Sequence, residues 1–103
     1  MDKYICHVCG YSNLDEPPYG LDGSIASFDI CPCCGVEFGY EDCQLSSYER
    51  YKNEWIISGS NWFDEELKPS NWNLEKQLSN INKIPKTLLP GYLINSSDGG
   101  NGP

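Results

Sequence analysis

The chain lacks any long apolar run. No stretch of its 103 residues approaches the ~20 consecutive apolar residues that a membrane-spanning helix requires. The N-terminus runs Met-Asp-Lys-Tyr-Ile-Cys, without the apolar segment of a secretory signal. We therefore expect a cytoplasmic protein that binds no membrane, in a compartment where thiols stay reduced and structural disulfides are rare.

Basic residues are scarce at the N-terminal end. Residues 1–44 contain eight carboxylates and a single lysine, Lys3, whereas the rest of the chain contains seven carboxylates and six bases. Nucleic acids and anionic membranes are bound through lysine and arginine, which displace counterions. The composition therefore predicts that the protein does not bind nucleic acid. A surface this acidic favours a basic protein as partner.

Cysteine is absent after residue 43, so all six cysteines lie near the N-terminus. Two segments contain the pattern Cys-x-x-Cys-Gly: YICHVCGY at residues 4–11 and ICPCCG at residues 30–35. Two residues between the thiolates let one tight turn direct both sulfurs at a single ion. The glycine that follows permits the positive φ with which such a turn closes.

Two turns of this kind supply four thiolates, the ligand set of a tetrahedral metal site. The 21 residues between Cys9 and Cys31 lie just beyond the range typical of paired zinc-binding turns. Zinc is the preferred metal and iron the alternative, because both accept a tetrahedral shell of sulfur. The predicted metal ligands are Cys6, Cys9, Cys31 and Cys34.

Three further side chains near these turns need an interpretation. Cys33 lies beside the predicted site, where it can replace Cys31 or Cys34 as a ligand, take part in redox chemistry or fill space. Cys43 follows two carboxylates that disfavour its thiolate, so we expect a structural role for it. His7, the only histidine, is expected to point outward rather than to bind the metal.

Residues 1–44 are predicted to form a four-cysteine module of the zinc-ribbon kind. Apolar side chains alternate at Ala26, Phe28 and Ile30, which is typical of a short strand that leads into the second turn. Residues 4–5 are expected to form its partner strand. Such a module takes much of its stability from the metal.

Residues 45–94 are predicted to be helical and aromatic-rich, and to pack on this module within one compact domain. Ser46 followed by Glu49 is a capping-box pattern, and Gly59 is a natural stop for the helix that begins there. Core packing is the expected role of the aromatic face of this helix. That face consists of Tyr48, Tyr51 and Trp55.

A second short helix is expected after Asn73 or Asn71, either of which can cap it. Residues 86–94 suggest a docking strand, and residues 95–103, which have no apolar side chains, are predicted to be a disordered tail. The predicted fold is therefore a small α+β fold, in which zinc-ribbon or rubredoxin-like metal-binding hairpins pack against one or two C-terminal helices.

The two cysteine segments resemble the paired metal turns of rubredoxins. This resemblance covers residues 4 to about 43. It implies a short sheet over an iron centre held by four cysteines, and electron transfer as the activity.

A second resemblance covers residues 2 to about 81. The run CPCCGVEFGYED at residues 31–42, followed by a helix that contains tryptophan, is similar to the small bacterial cysteine-rich proteins named for their CPCC motif. That family has no assigned activity, so the resemblance bears on the fold more than on the function. Proteins of this kind sometimes act as immunity or antitoxin partners of toxins.

The sequence contains no constellation of nucleophile, base and carboxylate, so we expect a protein that is not an enzyme. The first functional hypothesis is a zinc-binding protein with a structural four-cysteine site that recognises a basic protein. The alternative is a rubredoxin-like iron electron carrier. A third hypothesis is thiol redox or metal sensing through Cys33.

Overall fold

The computed structural model describes residues 3–94, and the predicted tail at 95–103 lies outside them. Within residues 3–94, two α-helices have defined bounds, α1 at Leu45–Ile57 and α2 at Leu74–Ser79, and residues 91–94 form one further helical turn at the end of this range. No helix in the described part of the chain is long and apolar enough to cross a membrane. Three short 3₁₀ helices lie at Glu65–Leu67, Asn80–Lys83 and Lys86–Leu88.

Helix α1 begins two residues after the last cysteine, Cys43. The predicted cap, Ser46, is wrong by two residues, because Gln44 is the N-cap and its N–H donates to the Ser47 hydroxyl at 3.2 Å. The helix ends at Ile57, two residues before Gly59, close to the predicted stop. Ser46 and Ser47 thus lie inside the first turn of the helix, and the cap is a residue type that sequence preferences do not favour at this position.

Helix α2 begins where the sequence predicts. The Asn73 side chain accepts a hydrogen bond from the Lys76 N–H at 2.9 Å, which confirms it as the N-cap. Two expectations are corrected. Both α-helices lie in the middle of the chain rather than at its C-terminus, and residues 86–94 form helical turns rather than a docking strand.

Extended structure is limited to two isolated antiparallel bridges within residues 3–94. The expected pairing of residues 4–5 with the segment before the second turn is wrong, because Tyr4 pairs with Leu14 and Ile30 pairs with Glu37. Phe28 has φ +61°, which breaks the extended conformation that its alternating neighbours predicted. One bridge flanks each cysteine turn. Residues 3–94 therefore contain no strand pair of the zinc-ribbon kind.

The hydrophobic core is centred on the two cysteine turns. Aromatic side chains from α1 and from the segment after it cover these turns: Tyr48 and Trp55 are buried in the core, as is Trp62. The core thus consists of small sulfur-bearing and branched side chains surrounded by large rings. Its buried members are Cys6, Val8, Cys9, Leu14, Tyr19, Cys31, Cys33, Cys34, Val36, Phe38, Tyr48, Trp55 and Trp62.

Candidate metal centre

Two turns with the same backbone geometry carry the cysteines. The first turn runs from Cys6 to Gly10, and the Gly10 N–H donates to the Cys6 carbonyl at 2.8 Å. The second runs from Cys31 to Gly35, and the Gly35 N–H donates to the Cys31 carbonyl at 2.9 Å. Gly10 has φ +87° and Gly35 φ +80°, the left-handed conformation that the sequence pattern predicts for both.

Backbone amides inside both turns point at sulfur. The Val8 N–H donates to Cys6 Sγ at 3.4 Å, and the Cys33 N–H donates to Cys31 Sγ at 3.4 Å. Hydrogen bonds of this kind favour the thiolate over the thiol. Each turn therefore supplies a positioned sulfur together with a donor that stabilises its negative charge.

The four sulfurs of the two turns meet in one buried cluster. Cys6 Sγ lies 3.9 Å from Cys34 Sγ, Cys9 Sγ lies 3.7 Å from Cys31 Sγ, and all four atoms lie within 4.8 Å of one another. A tetrahedron with Zn–S bonds of about 2.3 Å has edges of about 3.8 Å. A disulfide would bring two sulfurs to about 2.05 Å. The cluster therefore has the dimensions of a metal site and not of disulfides.

Burial controls the protonation of these thiols. It raises the pKa of Cys6 and Cys9 well above the ordinary thiol value, and it raises that of Cys34 as well. Burial also acts to raise the pKa of Cys31, but hydrogen bonds from the three other thiols outweigh it and lower that pKa. Four thiolates thus require a cation among them, and metal binding releases protons.

Cys33 and Cys43 lie outside this cluster. Cys33 is buried, and its sulfur accepts a hydrogen bond from Gln77 Nε2 at 3.2 Å. The same nitrogen donates to the carbonyl of Cys9 at 3.0 Å, so one amide of α2 contacts both turns. Cys43 is exposed. The structure therefore places Cys33 next to the four sulfurs, in a position to influence them without joining the cluster.

His7 does not point outward as expected. Its side chain is buried, with 2% exposed, and its Nε2 lies 2.6 Å from a carboxylate oxygen of Asp42, which is fully buried. The other carboxylate oxygen accepts from the Tyr19 hydroxyl at 3.1 Å and from the Gly39 N–H at 2.7 Å. A buried carboxylate needs this number of donors. The contact between His7 and Asp42 thus links the first turn to the loop before α1.

Sequence reasoning missed Asp42 and the role of Gln77. Asp42 gives no local signal, because it follows Glu41 in an acidic stretch that looks solvated. Gln77 does give one. It is a polar residue on the helix face that also carries Leu74 and Leu78, and a glutamine in that position indicates a buried hydrogen-bond partner.

Two proteins of Bacillus subtilis (strain 168) are similar to this chain. The one named "Uncharacterized protein YoaQ" is 34% identical over 102 aligned positions, which cover 77% of this chain and 86% of that protein. "Uncharacterized protein YozI" is 37% identical over 71 positions, which cover 54% of this chain and 59% of that protein. No family model matches the chain, and no solved structure matches it significantly. From the extent of the first similarity, the chain belongs to the same bacterial family as YoaQ.

Proposed function

We propose that this protein is a non-enzymatic zinc-binding module whose four-cysteine site is structural. The observation that supports the proposal is the burial of the cluster: three of its cysteines have no exposed surface, and Cys34 has 6%. Catalytic zinc keeps one position open for water or substrate, whereas structural zinc is closed by four protein ligands. Four thiolates that enclose one ion leave no position for a substrate.

The small amount of regular structure around the cluster supports the same role. Within the described residues, the segments on the two sides of each cysteine turn are paired by a single isolated bridge, and no longer strand is formed. A domain of this size without extended pairing has a small core, and a metal cross-link adds stability that packing does not supply. The metal would therefore hold the two turns together.

Metal analysis together with an absorption spectrum tests this proposal. The protein should be purified without added metal from cells with ample iron. We expect a colourless protein with one zinc per chain, which loses its thermal unfolding transition when a chelator removes the metal. A coloured protein with one iron and a reversible one-electron couple would instead assign the rubredoxin-like role. A protein that contains no stoichiometric metal would contradict both.

We further propose that the module binds a basic protein. Large apolar side chains are exposed in the acidic N-terminal part, with Ile25 72%, Phe28 61% and Tyr40 70% exposed. Phe28 also has φ +61°, a conformation that costs a non-glycine residue about 1–3 kcal/mol and that is frequent at functional sites. Carboxylates at Asp29 and Glu41 adjoin these side chains. Exposed apolar groups among carboxylates suit a partner with basic and apolar side chains.

Affinity capture at low and high salt, followed by measurement on the purified partner, tests this second proposal. We expect a basic protein, such as a toxin domain, whose binding weakens with salt. The variant Phe28→Ser should weaken binding, while Ile57→Ser, which changes an apolar residue of α1 that is 84% exposed, should not. Partners that are neutral or acidic and insensitive to salt, or equal effects of the two variants, would contradict the proposal.

A further inference from the structure

A cavity lies between the first cysteine turn and the segment that follows α2. Its volume is about 320 Å³. This is at the lower end of the range for cavities that bind small molecules, about 300–1,000 Å³. Its walls are mostly apolar, formed by Tyr4 and Ile5 on one side and by Ile84, Leu88 and Leu89 on the other.

The charge around this cavity is opposite to that of the chain as a whole. The sequence has fifteen carboxylates and seven lysines and arginines, yet two lysines and no carboxylate line the cavity. Lys3 is paired with Asp15 at the surface. Lys83 forms no ion pair with any residue in the range 3–94. Within the part of the chain that the structure describes, the cavity thus combines an apolar interior with one lysine that no carboxylate pairs.

The wall on the side of the metal turn is fixed in place. His7 lines the cavity, and its hydrogen bond to Asp42 at 2.6 Å holds the ring. The opposite wall contains Pro85 and the 3₁₀ helix Lys86–Leu88. A cavity between such constrained elements is formed before a ligand arrives, which reduces the entropy lost on binding.

We propose that this cavity binds a small amphipathic anion, with its apolar part inside and its charged group at Lys83. At ~30 Å³ for each water-sized group, the volume admits roughly ten non-hydrogen atoms. Octanoate has this size, an aliphatic chain for the apolar walls and a carboxylate for the lysine. A cation of the same size gains the apolar contacts but meets the lysine charge.

Calorimetric titration of the full-length, metal-loaded protein tests the proposal with three probes of nearly equal size. Octanoate should bind best, octanol more weakly and octylammonium weakest. The variant Lys83→Gln should weaken octanoate binding about threefold to fivefold, the range of a partly exposed ion pair, and leave octanol binding unchanged. Lys86→Gln is the matched control, since Lys86 lies in the same segment but does not line the cavity. Lys86→Gln should change neither octanoate binding nor octanol binding.

A second variant tests the cavity itself. Leu88→Trp fills the space and should abolish the binding of octanoate and octanol together, with thermal unfolding used to show that the variant is folded. If Leu88→Trp does not fold, the comparison of Lys83→Gln with Lys86→Gln still tests whether octanoate binds at this cavity. No octanoate binding at millimolar concentration, equal binding of octylammonium, or equal effects of the two lysine variants would overturn the proposal. Metal content is measured on the same samples. A protein that contains its metal but does not bind octanoate would therefore overturn the cavity proposal and leave the metal proposal standing.

Discussion

The first and second cysteine turns have the same backbone hydrogen bonds but different surroundings. Besides the bond that closes each turn, the N–H of Cys6 donates to the Tyr11 carbonyl at 2.8 Å, and that of Cys31 donates to the Val36 carbonyl at 3.0 Å. Local geometry is therefore determined by the shared pattern Cys-x-x-Cys-Gly. Everything that differs comes from the segments packed against each turn.

Side chains hold the first turn in place. Gln77 Nε2 donates to the Cys9 carbonyl at 3.0 Å, and Asn80 Nδ2 donates to the Gly10 carbonyl at 3.1 Å. His7 adds its buried contact with Asp42. Each of these interactions can be removed by one substitution.

Backbone groups supply most of the support of the second turn. Two side chains also contribute: the Tyr51 hydroxyl donates to the Cys34 carbonyl at 2.9 Å, and Gln77 donates to Cys33 Sγ. The N–H groups of Phe63 and Asp64 donate to the carbonyls of Cys33 and Pro32, both at 2.8 Å. These bonds do not depend on which side chains stand at positions 63 and 64. Because more of its contacts come from side chains, the first turn should be more sensitive to mutation than the second, although both have the same sequence pattern.

The largest expected effect is the loss of a metal-cluster cysteine, and it should be the same in both turns. Replacing Cys9 or Cys34 by serine removes one sulfur from the cluster, and each variant should lose its stoichiometric metal. Structural zinc contributes about 10–16 kcal/mol in small zinc-binding peptides at pH 7, so either loss should abolish cooperative unfolding. Metal analysis and thermal unfolding measure the outcome.

The exposed Cys43 provides the control for this pair. Cys43→Ser should retain the metal, and so should Cys33→Ser, because Cys33 lies outside the cluster of four. Retention of metal by Cys34→Ser together with its loss in Cys33→Ser would show that Cys33 is the ligand instead.

The second comparison concerns the residue after the first cysteine of each turn. His7→Ala leaves the buried Asp42 carboxylate without its closest hydrogen-bond partner and should cost about 3 kcal/mol. Pro32→Ala keeps the carbonyl that accepts from Asp64 and should cost less than about 1 kcal/mol. Denaturant midpoints of the metal-loaded variants at one fixed free metal concentration measure both. Equal losses would show that the hydrogen bond between His7 and Asp42 does not distinguish the turns.

The glycines that close the turns provide the third comparison. A Cβ at Gly10 would lie 2.0 Å from the Gln77 carbonyl oxygen, whereas a Cβ at Gly35 would lie 3.2 Å from the ring of Phe63. That ring is 65% exposed and can move, but the α2 backbone cannot. Gly35→Ala should therefore cost about 1–2 kcal/mol for the positive φ alone.

Gly10→Ala carries the same conformational cost and adds the collision with α2. Overpacking of this kind costs about 1–3 kcal/mol more, so the total loss should be about 2–5 kcal/mol. Denaturant unfolding of the two metal-loaded alanine variants measures the difference between them. A loss at Gly35 equal to or larger than that at Gly10 would contradict the rigid contact between the first turn and α2.

The sequence predicts the local features of this molecule well. The spacing of the cysteines indicates which four sulfurs come together, and the glycines after Cys9 and Cys34 have the positive φ that the pattern requires. Asn73, one of the two predicted alternatives, caps its helix. These features depend on contacts within a few residues, which a single sequence contains.

The features that were predicted wrongly depend on distant segments. Alternation at Phe28 and Ile30 indicated a strand. Within the described residues this segment forms only one isolated bridge, between Ile30 and Glu37, and Phe28 adopts a left-handed conformation. A residue between the two cysteines of such a turn usually points outward, so the sequence predicts an exposed His7. Its buried partner, Asp42, lies 35 residues away. Pairing over such distances follows from the whole fold, and local patterns do not encode it.

The smallest expected effect compares a side-chain hydrogen bond to the first turn with a backbone hydrogen bond to the second. Gln77→Ala removes the donor to the Cys9 carbonyl and to Cys33 Sγ, and also the acceptor of the Trp72 indole N–H. It should cost about 1–2 kcal/mol, because partly buried polar groups lose their partner. Phe63→Ala keeps the N–H that donates to the Cys33 carbonyl and removes a mostly exposed ring, so it should cost about 0.5 kcal/mol or less. Thermal unfolding of the two metal-loaded variants gives the difference. If Phe63→Ala proves the more damaging, the second turn is held by its aromatic cover, and the contrast between the turns is one of packing rather than of hydrogen-bond type.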